Sequence, residues 1–189
     1  DVYKKQTMEN IKIIGNIDTA NNGGIRGIRL SGITNSLFKN LEICKCHVGI
    51  ELYWNAKYNT IEAIEAHDND YGIYFYWTSG SHNEYNTVKN CKAYNNKYTG
   101  IGLYYDSDHN VIDSNEVYNN GWAGILIGYS CDYNEIKNNH AYNNSVSGIL
   151  ISANQGNAAK HNTIEDNIVE NNGGFWDATV NYDSGIGLC

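Results

Sequence analysis

Apolar residues in this chain come in short beats rather than long stripes. The clearest unit runs from Asn110 to Ile127, NVIDSNEVYNNGWAGILI, and the next, from Asn134, NEIKNNHAYNNSVSGILI, has the same length. An earlier copy starts at Asn86, NTVKNCKAYNNKYTGIGL. Each has the form Asn-x-(Ile/Val), a small apolar residue five positions on, an Asn-Asn pair, and Gly-Ile-x-(Leu/Ile). The Gly-Ile anchors stand at Gly27, Gly49, Gly72, Gly100, Gly124, Gly148 and Gly185, spaced 22 to 28 residues apart except for the last, at 37. Within a beat the apolar residues alternate: Ile125 and Ile127 face one way and Leu126 the other. No beat reaches helix length. Strands this short, repeating near 23 residues, predict a coil that climbs by one strand spacing, ~4.8 Å, per turn. Stacking then buries one column of Ile28, Ile50, Ile73, Ile101, Ile125, Ile149 and Ile186. A second column holds Leu30, Leu52, Phe75, Leu103, Ile127, Ile151 and Leu188. A leucine-rich repeat has a similar period but needs a leucine framework and a helical return, and neither is present.

The expected architecture is a single all-β domain over residues 1–189, a solenoid of about seven stacked coils, and the resemblance drawn below implies a right-handed parallel β-helix. Asparagine tolerates left-handed turns, and its amide can bond backbone or another amide. Asn95-Asn96, Asn119-Asn120, Asn143-Asn144 and Asn171-Asn172 are expected to stack at one corner as an amide ladder. That is a structural role, so recurrence marks none of them as catalytic. Coil three, with His67-Asp68-Asn69-Asp70, reads as a break in this ladder.

The Asn-x-Ile…Asn-Asn…Gly-Ile-x-Leu pattern, from Asn35 to Leu188, resembles the right-handed parallel β-helices of pectate-lyase-like proteins. It is most similar to the NosD and carbohydrate-binding/sugar-hydrolase repeat group. That resemblance implies the fold; the activity has to be argued from a site. A methanogen disaggregatase-like enzyme of cell-surface polysaccharide is one member the composition suits, and an extracellular or cell-surface location goes with it.

Composition narrows the partners. The 189 residues carry a net charge of −8, which disfavours nucleic acid and, without local basic groups or a cation, polyanionic sugars. No apolar run is long enough to enter a membrane as a helix. The five cysteines have no zinc or disulfide spacing and read as free thiols, some of them buried. The chain begins with Asp1 and ends inside a strand beat. It reads as a piece of a longer protein, whose open β-helix ends further chain or another subunit would cover.

Four groups of residues carry the candidate chemistry. Outward positions beside the Gly-Ile strand are aromatic: Tyr53 and Trp54, then Tyr74, Tyr76 and Trp77, then Tyr104 and Tyr105, then Tyr129, with Trp122 nearby. Flat rings suit sugar faces, although aromatics also favour strands for structural reasons. Arg29, Glu51 and Tyr74 share one column. Arg29 is a candidate clamp for a sugar carboxylate and Glu51 a candidate acid or base, against the plainer reading of a surface ion pair. Asp70 stacks on His47, with Tyr98 and Trp122 on the following coils, as a general acid–base pair or an ordinary polar turn. Glu84, Asp108 and Asp132 follow one another in a column flanked by Lys57 and Lys160. They form either a Ca²⁺ site or a solvated edge. No cofactor is required by any of these. The leading expectation is polysaccharide cleavage by Asp70, His47 and Glu51, through hydrolysis with β-elimination as runner-up. The rival is a non-catalytic surface-layer, adhesion or NosD-like scaffold module.

Overall fold

The computed structural model describes residues 5–16, 24–76, 80–152 and 158–173, together with the backbone of a last strand at 186–188. All its regular structure is β. The strands in chain order begin with β1 (Thr7–Ile14), β2 (Arg26–Ser31), β3 (Leu37–Cys44), β4 (Val48–Tyr53), β5 (Thr60–Glu62), β6 (Glu65–His67) and β7 (Tyr71–Phe75). Next come β8 (Thr87–Lys89), β9 (Lys92–Tyr94), β10 (Ile101–Leu103), β11 (Val111–Asp113), β12 (Glu116–Tyr118) and β13 (Ala123–Ile127). The series closes with β14 (Glu135–Lys137), β15 (His140–Tyr142), β16 (Ser147–Ile151), β17 (Thr163–Glu165), β18 (Ile168–Glu170) and β19 (Ile186–Leu188).

All pairings are parallel, and they make a right-handed β-helix. The Gly-Ile strands β2, β4, β7, β10, β13, β16 and β19 stack in order as a seven-stranded sheet. The remaining twelve form a second sheet that bends at β3. The first half of β3 pairs with β5 and its second half with β6, so two strand columns fan out from one long strand. Each coil therefore has three short walls around one core. Among the described residues there is no helix, and none long and apolar enough to cross a membrane.

Both expected apolar columns form in register. Ile28, Ile50, Ile73, Ile101, Ile125, Ile149 and Ile186 pair consecutively, as do Leu30, Leu52, Phe75, Leu103, Ile127, Ile151 and Leu188. Ile61, Val88, Ile112 and Ile136 line a second wall and Ala66, Ala93, Val117 and Ala141 the third, all fully buried. Cys44, Cys46, Cys91 and Cys131 are free and buried, as their spacing suggests.

The anchor glycines answer a steric demand. A β-carbon on Gly49 would lie 2.6 Å from the Gly72 carbonyl oxygen, and one on Gly100 would lie 2.8 Å from that of Gly124. Only a bare α-carbon clears the backbone of the next coil here.

Many corners share one local pattern. A residue in the left-handed region is followed by a buried asparagine: Asn95 (φ 54°) before Asn96, Asn119 (φ 55°) before Asn120, and Ser114 (φ 56°) before Asn115. The buried amide oxygen accepts the backbone N–H of the residue below, and its nitrogen donates to a backbone carbonyl. Asn120 Oδ1 accepts from Asn96 N at 3.1 Å, while Asn120 Nδ2 donates to the Ala93 oxygen at 3.0 Å. Corner polar groups are thus satisfied without water. Where one ladder was expected there are three. Their members are Asn69–Asn96–Asn120–Asn144–Asn172, Asn59–Asn86–Asn110–Asn134–Asn162 and Asn115–Asn139–Asn167. Coil three does not break its ladder. Asn69 accepts from Cys46 N at 2.9 Å, and Asp68 takes the left-handed position before it at φ 54°.

Candidate functional site

The outer face of the seven-stranded sheet gathers most of the sequence-selected residues. At its lower end Arg29, Glu51 and Tyr74 occupy one column, as their spacing requires. Their environment differs from the expected open surface, because Glu51 is fully buried, at 0% exposure. Its carboxylate accepts from Arg26 Nε at 3.2 Å and is paired with Arg29 Nε. Arg29 lies over the Tyr53 ring, 4.2 Å from its centroid. The bond to Glu51 also raises the Arg29 pKa. Burial is sustained here because two guanidiniums face one carboxylate. Glu51 is therefore covered, and Arg29 is engaged with it.

On the same two coils, His47 just before β4 and Asp70 just before β7, the candidate acid–base pair forms. His47 Nδ1 is 2.7 Å from Asp70 Oδ2, and both side chains are partly accessible. In the tautomer with Nδ1 as donor, the lone pair lies on Nε2. Two neighbours the sequence reading passed over complete the group. Tyr71 stands edge-on to His47 at 5.8 Å between centroids and packs on Tyr98 at 5.1 Å. Burial, then Tyr98 and Asp70, raise the Tyr71 pKa, so its phenol keeps its proton. Lys97 donates its backbone N–H to the Asn69 oxygen and so follows Asp70 in the stack, the place expected for Tyr98. Its ammonium lies over the Tyr98 ring at 4.9 Å. A coil one residue shorter than its neighbours shifts this register. Lys97 was legible as the residue after a ladder asparagine, and Tyr71 as the residue before an anchor glycine.

From Tyr71 an unbroken run of rings crosses the face. Tyr71 meets Tyr74 at 4.7 Å, Tyr74 meets Tyr76 at 6.2 Å and Tyr104 at 5.9 Å, and Tyr76 meets Tyr53 at 6.0 Å. Tyr104 and Tyr105 both reach Tyr129. Interplanar angles in this run lie between 31° and 85°. Tyr74 is buried at 8%, and burial drives its pKa and that of Tyr104 strongly upward. Tyr76, 41% exposed, and Trp54, 50% exposed, present open surface. Trp122 instead packs over Ala123, Leu126 and Leu150 in a small apolar cluster. Trp77 lies outside the described residues.

Two other aromatic columns, unremarked in the sequence reading, have a different geometry. Tyr58, Tyr85, His109, Tyr133 and His161 stack along one corner at 4.8–5.0 Å with planes within 12° of parallel. His67, Tyr94, Tyr118 and Tyr142 do the same along the third wall at 4.8–4.9 Å. The signal was available: a ring precedes nearly every Asn anchor and most Asn-Asn pairs. In these ladders each interior ring spends both faces on its neighbours, leaving edges for solvent. The tilted rings of the seven-stranded sheet are not spent on each other in this way.

The acidic column takes part in the hydrogen bonding of its corner. Asp108 Oδ1 accepts the Asp132 N–H at 2.7 Å, and Asp132 Oδ1 accepts the Lys160 N–H at 2.6 Å, as the ladder asparagines do. Glu84 pairs with Lys57 at 2.8 Å. Burial raises the Asp108 pKa, and Asp132, Asp106 and Glu84 add to the rise. His82, Glu84 and Asp108 bring donor atoms within 4.8 Å of one another, and so do Glu42, Cys44 and His67. Asp132 belongs to neither trio.

The comparisons fit this geometry at the level of fold. The periplasmic alginate epimerase AlgG is similar over 97% of this chain and 42% of its own, with 17% identity and a TM-score of 0.71. The Azotobacter vinelandii mannuronan C-5 epimerase AlgE4 A-module is similar over 97% and 56%, with 13% identity and a TM-score of 0.68. Pectate lyase Pel9A is similar over 92% and 53%, with 15% identity and a TM-score of 0.61. The chain thus spans about half the length of these structures, and such identities establish a shared β-helix alone. No curated protein matches the chain. A family model described as periplasmic copper-binding protein (NosD) matches residues 9–183, nearly the whole sequence, and the chain belongs to the NosD family.

Proposed function

We propose that this β-helix binds an acidic polysaccharide along the outer face of its seven-stranded sheet and breaks it by β-elimination at the His47–Asp70 pair. The observation that carries the reading is the 2.7 Å contact between His47 Nδ1 and Asp70 Oδ2, set beside Tyr71 where tilted tyrosines begin. The epimerases and the lyase that share the fold act on polysaccharide, which supports a carbohydrate partner. AlgG and the family description are both periplasmic, which supports a location outside the cytoplasmic membrane.

Chemistry favours elimination over the two-carboxylate hydrolysis first expected. Hydrolysis needs a second free carboxylate beside the first. Glu51 is buried between two guanidiniums and does not supply it. An imidazole aligned by a carboxylate suits removal of a proton from carbon. His47 Nε2 takes the proton next to the sugar carboxylate, and Lys97 offsets the charge that develops there. The electron pair forms the carbon–carbon double bond as the glycosidic C–O bond breaks, and the protonated Tyr71 phenol supplies the leaving oxygen with its proton. Tyr76, Tyr53 and Trp54 hold neighbouring sugars. Among the described residues this face has one imidazole and no thiol, which does not fit a copper centre, and no step passes through a metal.

The test is incubation with neutral and acidic polysaccharides while following reducing ends, ultraviolet absorbance of unsaturated uronate, and binding. Absorbance rising in step with reducing ends is the expected result. Reducing ends without absorbance would replace elimination by hydrolysis. Binding with neither would leave the face a recognition module.

A further inference from the structure

On the third wall, away from the sugar-facing sheet, the tyrosine ladder changes composition. The positions aligned with Tyr94, Tyr118 and Tyr142 are Cys44 on β3 and His67 on β6, directly paired across the ladder. Glu42 stands two residues before Cys44 on the same face. We propose that Glu42, Cys44 and His67 bind a borderline-soft divalent cation of the zinc class through one carboxylate oxygen, one thiolate and one imidazole nitrogen.

Three independent features support the assignment. The donor atoms already lie within 4.8 Å of one another, and His67 Nε2 is 3.4 Å from Glu42 Oε1. Tetrahedral zinc with ligand bonds near 2.0–2.3 Å needs donors about 3.5 Å apart, so small rotations close the site. Next, His67 is oriented as a metal ligand is. Asp68 Oδ2 sits 2.8 Å from its Nδ1, the carboxylate contact that steadies a ligating imidazole, while Nε2 is directed at Glu42. Finally, the imidazole plane is clamped by Tyr94, stacked at 4.8 Å and 7°. The trio is partly buried, with Cys44 covered and the other two reaching solvent, so a metal would keep an open coordination position. Lys12, ion-paired with Glu42, would hold that carboxylate until a cation displaces it. Mixed sulfur, nitrogen and oxygen donors favour zinc-class ions over calcium or magnesium.

The test is titration of the reduced full chain with Co²⁺ and Zn²⁺. The expected result is a Co²⁺–thiolate charge-transfer band that saturates at one metal per chain and is displaced by Zn²⁺. Cys44→Ser and His67→Gln should abolish the band, Cys189→Ser should leave it, and Asp68→Asn should weaken affinity about 10- to 100-fold. A second readout needs no variant: Zn²⁺ should protect Cys44 from alkylation, mapped by mass spectrometry. An absent band, a band surviving Cys44→Ser, or Cys44 alkylated at the same rate with and without Zn²⁺ would overturn the proposal.

Discussion

The ring of Tyr74 lies across Gly102 of the next coil, where any β-carbon would come within 2.8 Å of Tyr74 Cδ2. Tyr104 lies across Gly128 in the same way, at 2.9 Å. Two glycines thus seat buried Tyr74 and half-buried Tyr104 on the outer face of the seven-stranded sheet. Gly102→Ala should push the Tyr74 ring aside and cost about 1–3 kcal/mol, the usual range for overpacking. Gly49→Ala should cost more, because its β-carbon meets the Gly72 carbonyl, a backbone atom that cannot rotate away. Denaturant unfolding of both variants checks the order. An equal loss would mean that the coil shifts as a whole.

Inside the corner ladder, Asn110 is fully buried and makes every bond its amide allows. Its Oδ1 accepts from Asn86 N and Nδ2, and its Nδ2 donates to the Asn83 oxygen and Asn134 Oδ1. Asn110→Ala would strand the Asn86 N–H and the Asn83 carbonyl in a dry interior. The expected loss is about 3 kcal/mol, from roughly 1–3 kcal/mol for each unsatisfied group. Exposed Asn138, left-handed at φ 55°, should lose far less on the same change. Comparable losses would show that the turn and not the amide carries the stability.

Fold and site were unequally legible for a physical reason. The isoleucine columns and the His47–Asp70 contact follow from repeat arithmetic, since parallel coils place equal positions on top of one another. The arithmetic fails where a coil length changes, which is how Lys97 came to stand where Tyr98 was expected. Burial is less legible still. Glu51 reads as an outward carboxylate because strand alternation turns it outward, yet Arg26 and Arg29 cover it. Alternation decides which face a residue takes but not what lies over that face. Trp77 lies outside the described residues.

Two aspartates should respond to pH in opposite senses. Burial raises the Asp108 pKa above its unfolded value, so its favourable share of stability exists only below the ordinary aspartate range. That share is lost as pH rises through the folded pKa. Asp108→Asn keeps the carbonyl that accepts the Asp132 N–H and should raise Tm at neutral pH, with the gain vanishing in acid. Asp113 is the reverse case: the hydrogen bond from Asn138 lowers its pKa. Its contribution is present above the unfolded pKa and lost as pH falls through the folded one. Asp113→Asn should therefore lower Tm modestly at neutral pH and leave it unchanged in acid. Melting curves across pH settle both signs.

Chemistry and binding should separate between Asp70 and Tyr76. Asp70→Asn keeps the side-chain shape but removes the charge that aligns His47 through the 2.7 Å contact. It should cut turnover about 10²- to 10⁴-fold, the range for a general acid–base group, with glycan affinity nearly unchanged. Tyr71→Phe should slow bond breaking while leaving the melting temperature close to that of the parent, because the phenol serves as a proton donor and the ring remains. Tyr76→Ala removes an open ring face that stands apart from the His47–Asp70 contact, so it should weaken glycan binding and leave the rate at saturation almost intact. Kinetics on one acidic polysaccharide, with binding measured separately on Asp70→Asn, distinguishes the roles. If Asp70→Asn loses binding and turnover together, the pair holds the sugar instead of moving its proton, and the elimination mechanism falls while the glycan face stands.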